Sequence, residues 1–410
     1  MKGIAARTAA AAALTAVLAL APVAQAGFSN TYTIGGTTVD ATFAEGGPSA
    51  DDPIVIAKLE SLIRGMAPGS SVYLTVFKID PDHRIERALR EMQAQGRHVY
   101  VFYDKLDDEF WTYQGLRNNF DLVKKCDRGC IPQTLSPNGN ESIMHTKMAA
   151  FSSTRAPDGT YKTANWVSSS NLTGPTSGGS QASNNSLTWY GDPDFDLGIR
   201  TIMFDMLHGP YGAWGQYFDY VTWPQDNPDT LGNGLAYSAQ SRSWSVASPD
   251  VQSAMWSDQF SRINVPASST FCEVDVMQAF MGGDDAYFAA LELQRIANQG
   301  CVVRVLVNRD DQGNNDISWP VQATLCDATG FLQVQATRRV HDKVAISRGT
   351  YNGLSNQYRV WAGSHNMSDG ANKLNDELMV QVDNSSPLYD AYHAHFMNEL
   401  AKSSEVLCYP

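Results

Sequence analysis

The chain is short of basic charge. It carries 30 Lys and Arg against 43 Asp and Glu, a net −13, with only 11 lysines and 8 histidines. Such a surface repels a phosphate backbone unless its cations are gathered in a cleft, which sets an ordinary nucleic-acid binder aside. Long apolar runs are also scarce. The one at the start, within MKGIAARTAAAAALTAVLALAPVAQA, has a basic beginning and an Ala-Gln-Ala end. It has the length of a signal sequence and is too short for a comfortable membrane span. A secretory signal peptide over 1–26, cut after Ala26, is expected, and no twin arginine diverts it from the general route. The remaining 384 residues hold 28 basic and 43 acidic side chains, a net −15. A secreted chain with no membrane span is the expectation.

Cysteine is sparse but even in number: Cys126, Cys130, Cys272, Cys301, Cys326 and Cys408. In an exported chain this suits three disulfides, with fifteen possible connectivities. Among them, Cys126–Cys130 would close a small loop around Gly129, and Cys326–Cys408 would tie down the C-terminus. The spacing does not favour a zinc site.

What is present is a duplication. SVYLTVFKID, IERALREMQAQG and RHVYVFYDK in the first half answer TFCEVDVMQAF, AALELQRIANQG and CVVRVLVNRD in the second. Leu89 with Met92, and Leu293 with Ile296, repeat at helical spacing, whereas Val99/Val101 and Val303/Val305 alternate as in strands. Gly96 and Gly300 fall where each helix stops, a place that favours positive φ. Each half therefore predicts strand, helix and parallel strand. Length and repeat give a signal peptide over 1–26, lobes over 27–208 and 256–410, and an aromatic, Gly/Pro-rich connection over 209–255. An aromatic-rich helical segment is expected to end each lobe.

Inside this frame the scarce cations recur in pairs. HTKMAAFS begins at His145 and HDKVAISR at His341, with an offset of 196 residues. On an extended segment residues i and i+2 share a face, so His145 with Lys147, and His341 with Lys343, point into one pocket. SSSN ending at Asn171 and GSHN ending at Asn366 follow at matching distances. Packed about a pseudo-twofold axis, the halves would merge two imidazoles, two ammonium groups and two amides in one cleft. Lysines and amides are donors for phosphate oxygens. One neutral imidazole attacks phosphorus while the other, protonated, serves the departing oxygen. This chemistry calls for no metal and no cofactor.

Two His-x-Lys segments, each followed by a Ser-rich turn ending in Asn, resemble the phospholipase D superfamily, over about residues 54–396. The resemblance implies an α/β fold: a two-lobed α/β/α sandwich from an internal duplication, with mixed sheets and the active site at the lobe interface. It implies His145 as nucleophile and His341 as general acid/base. Lys147, Lys343, Asn171 and Asn366, with Ser169 and Ser364 of the Ser-rich turns, would hold the phosphoryl group. The family's usual Asp five residues past the Lys is Ser152 in one half and Arg348 in the other.

A reactive histidine needs an acid to fix its tautomer. NDE offers Glu377, with Asp376 as rival, while the matching NNS offers only Asn185 and Ser186. Glu377 is expected to orient the nucleophile across the interface, and an amide or hydroxyl to serve the other ring. His83 in DPDHR reads as a turn, His365 as structural, and His393 and His395 as solvated. Asp310 and Asp311 suit a polar loop better than a metal site, and LDDEF near Asp107 reads as a solvated face. The Gly/Ser-rich loop after Asn171 is near enough to overhang a site. A phospholipid diester is the expected substrate, with transient membrane-surface contact through Trp214, Tyr217, Phe218, Tyr220 and Trp223. A secreted nuclease, or a phosphate-binding module without turnover, are the alternatives. The duplication supplies internally what a dimer would supply, so a monomer is expected.

Overall fold

A computed structural model describes residues 27–408, apart from 48–51, 81–82, 107–118, 127–128, 131–142, 175–178, 180, 209–218, 222–234, 241–254, 266–270, 374 and 404. The signal segment, Asp107 with the LDDEF tail, and Trp214, Tyr217, Phe218 and Trp223 lie outside the described residues. The first half supplies β1 (Phe28–Ile34), β2 (Thr37–Ala44), β3 (Ser71–Ile79), β4 (His98–Leu106), β5 (Leu122–Lys125), β6 (Met148–Arg155), β7 (Tyr161–Ser168) and β8 (Asn184–Tyr190). Its helices are α1 (Ile54–Arg64), α2 (Arg84–Ala94) and α3 (Pro193–His208).

The remainder supplies β9 (Asp219–Val221), β10 (Leu235–Gln240), β11 (Ile263–Asn264), β12 (Glu273–Gln278), β13 (Met281–Gly282), β14 (Val302–Arg309), β15 (Leu332–Arg338), β16 (Lys343–Tyr351), β17 (Leu354–Gly363), β18 (Met367–Ser368), β19 (Glu377–Asp383) and β20 (Glu405–Cys408). Its helices are α4 (Met255–Ser261), α5 (Asp284–Asn298), α6 (Trp319–Cys326), α7 (Asp369–Lys373) and α8 (Ser386–Ala401).

Both expected strand–helix–strand units form. β3 and β4 pair in parallel around α2, as β12 and β14 do around α5. Gly96 and Gly300 take φ of 80° and 102° at the helix ends, where a side chain would be strained. The two sheets share one order. β5-β4-β3-β6-β7-β8-β2-β1 in the first corresponds to β15-β14-β12-β16-β17-β19-β10-β9 in the second, where β20 adds an edge. β9 and β10, from within the expected connection, thus stand where β1 and β2 stand in the first sheet.

Apolar spacing decides the layers. Val55, Ile56, Leu59, Leu62 and Ile63 on α1, with Leu89 and Met92 on α2, bury against the outer face of the first sheet. Ala286, Ala289, Leu293 and Ile296 on α5 do the same for the second, with α4 and α6. The inner faces meet in a single core. Phe43, Leu187 and Trp189 from one sheet join Val344, Val360, Leu378 and Val380 from the other, with α3 and α8 between them. The result is the mixed α/β, two-lobed layering expected.

Three disulfides pair all six cysteines: Cys126–Cys130, Cys272–Cys301 and Cys326–Cys408, with Cα separations of 4.6, 4.7 and 5.4 Å. The last joins α6 to the C-terminal strand. Three bridges are compatible with an oxidising compartment.

The shared core has a consequence for unfolding. Phe43 is fully buried and packs edge-on against Tyr392 of α8, with centroids 4.7 Å apart. Phe43→Ala is expected to cost about 3–5 kcal/mol and to lower a single calorimetric transition. Two resolved transitions, only one of them moved, would contradict a core common to both lobes.

Candidate functional site

Both histidines lie just before strands rather than within them, and Lys343 opens β16. His145 precedes β6 and His341 precedes β16, and each segment is held by the opposite lobe. His145 N–H donates to the carbonyl of Asp376 at 2.9 Å, and His341 N–H to that of Ser183 at 3.1 Å. Isolated parallel bridges, Met144 with Asp376 and Val340 with Ser183, mark the same exchange. The rings repeat it. His145 Nδ1 lies 2.8 and 3.0 Å from the two carboxylate oxygens of Glu377. His341 Nδ1 lies 3.1 Å from Oδ1 of Asn184. Both partners are acceptors, so the hydrogen-bond network assigns the ring proton to Nδ1 and leaves each Nε2 with its lone pair.

Asn184, not Asn185 or Ser186, is therefore the counterpart of Glu377. Strand pairing says the same twice. Ser169 N–H donates to the Asn185 carbonyl as Ser364 N–H donates to that of Leu378. Asn184 faces Ala44 of β2 as Glu377 faces Gln240 of β10. Matching NNS to NDE by identity was two residues out of register, a slip that keeps each side chain on its own face of the strand and sets Ser186 in the place of Asn184. Asn185 instead points into the shared core, where it bonds Asp342 and Tyr392.

Ser169 and Ser364, expected among the phosphate ligands, have another task. Ser364 donates its hydroxyl hydrogen to Glu377 and accepts from Leu378 N–H. Ser169 donates to Asn184 Oδ1 at 2.9 Å and accepts from Asn185 N–H at 3.0 Å. Each hydroxyl braces the side chain that orients the other lobe's histidine.

Lys147 and Lys343 are buried behind the rings, and each donates to the carbonyl of its own histidine at 2.6 Å. Lys343 Nζ is also 3.1 Å from both ring nitrogens of His341. Asn171 lines the cavity described below, and Asn366 Oδ1 is buried without a hydrogen-bond partner among the described residues. Burial, then the neighbouring ammonium groups, push both imidazoles well below their usual pKa. Burial holds Lys147 at about 7, against the pull of Glu377 and Asp104. Lys343 is depressed by burial and then by Lys147. Burial raises Glu377, opposed by His365 and Lys147. Four cationic groups packed this closely suppress one another's charge, and an anion between them would restore it.

A cavity of about 400 Å³ opens over both rings. The first lobe contributes Phe77, Asn171 and Ala182, and the second contributes Ala279, Asn308, Arg309, Asp310, Asp311, Asp316, Arg339 and Val340. Asp310 closes its own turn by accepting from Gln312 and Asn314 N–H, and Asp311 pairs with Arg339. Ala182, from the loop after Asn171, lines the cavity. Ser152 accepts from Ser71 N–H at 2.8 Å, and the Arg348 guanidinium lies 3.7 Å from the Phe271 ring centroid. Neither position lines the cavity.

The remaining histidines divide. His83 caps α2, accepting from Ile85 N–H. His365 is buried beside Glu377 and accepts from the Trp256 indole at 3.2 Å; burial takes its pKa down to about 4. The expectation that His393 and His395 are solvated is corrected. His395 is 1% exposed and bonds Asp342 at 3.2 Å, while half-buried His393 bonds Asp275 at 2.8 Å. Glu273, Asp275 and His393 are close enough to share an ion. Arg304 already bridges both carboxylates, however, and the Tyr389 hydroxyl donates to Glu273.

Residues 268–400 match the family described as cardiolipin synthase, PLD-like domain. No curated protein matches the sequence. Phosphatidylserine synthase from Haemophilus influenzae Rd KW20 shares the fold, with a TM-score of 0.56 over 86% of this chain and 85% of that one at 11% identity. Polyphosphate kinase from Porphyromonas gingivalis aligns over 85% of this chain at 12% identity, with a TM-score of 0.49. The chain spans 48% of that kinase. Yeast tyrosyl-DNA phosphodiesterase aligns over 83% of this chain and 88% of that one, at 9% identity and a TM-score of 0.40. Residues 268–400 thus carry a PLD-like domain, on a fold that the chain shares with the synthase.

Proposed function

We propose that the chain is an exported phosphodiesterase of phospholipase D type, acting on a phospholipid through a covalent phosphohistidine. The observation that carries this reading is the His145–Glu377 pair, set across the interface from His341 in one cavity. With its proton on Nδ1 and held by a carboxylate, His145 presents the Nε2 lone pair to phosphorus. A P–N bond forms as the P–O bond to the alcohol breaks, and His341 in its protonated form gives the alkoxide its proton. Water then attacks phosphorus, His341 takes its proton, and the P–N bond breaks. The phosphomonoester leaves and both rings return to their starting states. An alcohol in place of water gives transfer instead of hydrolysis. Lys147, Lys343, Asn171 and Asn366 stabilise the charge gathering on the non-bridging oxygens.

The asymmetry of the two halves supports this order of roles. Glu377 is an anion and stabilises the cationic character that His145 acquires when phosphorylated. Asn184 is neutral and fixes the His341 ring without raising its basicity to the same degree. For the substrate, net charge −13 disfavours a polynucleotide. The backbone bonds Met281 N–H to Asp316 O and Ser318 N–H to Met281 O, both 2.9 Å, set residues 279–282 beside 316–319 at the cavity wall. These two segments carry Phe280 and Trp319, which are 43% and 78% exposed. Exposed aromatics beside a cavity suit the headgroup region of a lipid surface.

Three outcomes are expected. Phosphatidylcholine vesicles lose choline to the protein with chelator present, whereas plasmid DNA is not nicked; the reverse pattern would favour the nuclease. Glu377→Gln lowers kcat by about 100-fold or more, and Asn184→Ala lowers it about 10-fold. Equal small losses would contradict the assigned roles. Inorganic phosphate binds with proton uptake, and more tightly as pH falls from about 8 to 6, because Lys147 at about 7 and its depressed neighbours regain protons beside the anion. Calorimetry in buffers of different ionisation enthalpy reads the uptake, and proton release would contradict it.

A further inference from the structure

The residue between His341 and Lys343 is Asp342, whose side chain is fully buried on the face opposite theirs. It is held from two directions. Asn185 Nδ2 donates to Oδ1 at 2.6 Å, and His395 Nε2 of α8 lies 3.2 Å from Oδ2. Asn185 is peptide-bonded to Asn184, the partner of His341. Two hydrogen bonds on opposite faces of two segments therefore close a ring: His341 to Asn184 on one side, Asp342 to Asn185 on the other. Tyr392, one turn before His395, donates to the free end of the Asn185 amide at 3.1 Å.

Helix α8 is itself fixed to the first lobe. The His395 ring lies 5.0 Å from the Phe43 ring, and Glu399 accepts from Gly46 N–H at 3.2 Å and from Lys402 at 2.7 Å. A buried carboxylate needs a compensating charge and saturated hydrogen bonds, and an imidazolium at His395 supplies the first. The Asp342 carboxylate also favours the charged form of Lys343. Among the described residues the matching positions of the first half hold nothing comparable. Thr146 stands at the place of Asp342 with its hydroxyl on Met144 Sδ, and Leu378 stands at the place of Asn185.

We propose that Asp342 and His395 are positioning residues for His341. They set its ring, through Asn185 and Asn184, at the angle and distance from which it protonates the leaving alcohol. The carboxylate on His145 does this directly in one half, whereas a neutral amide must be aimed from behind in the other. The inference rests on the phosphodiesterase reading and concerns one step of it. Asp342 touches neither ring and is not a catalytic residue.

The leaving group separates this role from mere stability. A p-nitrophenolate departs without help, whereas an alkoxide needs the proton. Single-turnover release is measured with saturating enzyme on two diesters that differ only in the leaving group, p-nitrophenol or choline. Asp342→Asn is expected to slow choline release about 100-fold or more and p-nitrophenol release less than about 10-fold. His395→Gln, which keeps a donor but not the charge, shows the same split at smaller size and stands in should the first variant fail to fold. The double variant, with an amide facing an amide, recovers part of the choline rate. Equal slowing of both diesters, or full rates with only a lowered melting temperature, overturns the inference while the phosphodiesterase stands. A wild-type protein that turns over neither diester overturns both.

Discussion

Everything in this molecule turns on a reciprocal exchange across the lobe interface. His145 comes from the first lobe and is oriented by Glu377 of the second; His341 comes from the second and is oriented by Asn184 of the first. The backbone makes the same exchange through Asp376 and Ser183. Neither lobe holds a complete site, and separating them would leave both imidazoles and the buried Glu377 carboxylate without partners. Such groups are tolerated only when paired. The common apolar core through Phe43, Trp189, Leu378 and α8 supplies the rigidity that this pairing requires.

Duplication gives the interface its symmetry, and departures from symmetry give it direction. Equivalent residues facing an identical partner would leave the two rings interchangeable. One carboxylate replaced by an amide, and one Thr/Leu pair replaced by Asp342 and Asn185, make the halves unequal on both faces of the same strands. The serines of the two turns are retained for a shared reason. Their hydroxyls link the orienting side chain to the backbone of the next residue in both halves.

Much of this was legible in the sequence. Period-two alternation in Val99/Val101 and Val303/Val305, helical spacing around Leu89 and Leu293, and the terminal glycines carry the local physics of each unit. The His-x-Lys pairs stood out because lysine and histidine are scarce. The role of Glu377 followed from its being an acid in the matching motif. The misplacement of its counterpart shows where identity misleads. Asn185 aligned with Asp376 by likeness, two residues out of register. The core-facing alternation of Leu187 and Trp189 puts Asn185 inward but leaves both Asn184 and Ser186 outward, and only the cross-strand pairing selects Asn184. His395 and Glu399 likewise fall on the buried stripe of α8 with Leu388, Ala391 and Tyr392, so the spacing contained their burial. Their partners did not follow from spacing, because Asp342 and Gly46 are remote in sequence and meet α8 only through the tertiary fold.

The account assigns the covalent step to one ring, and that is the claim most open to direct test. Enzyme mixed with a phosphodiester, quenched within a turnover and digested under alkaline conditions, should yield a single phosphohistidine peptide located by mass spectrometry. The peptide containing His145 is the predicted carrier, with His341 unmodified. Phosphate on the His341 peptide, or turnover with no covalent species on either ring, would contradict the mechanism built on the exchange.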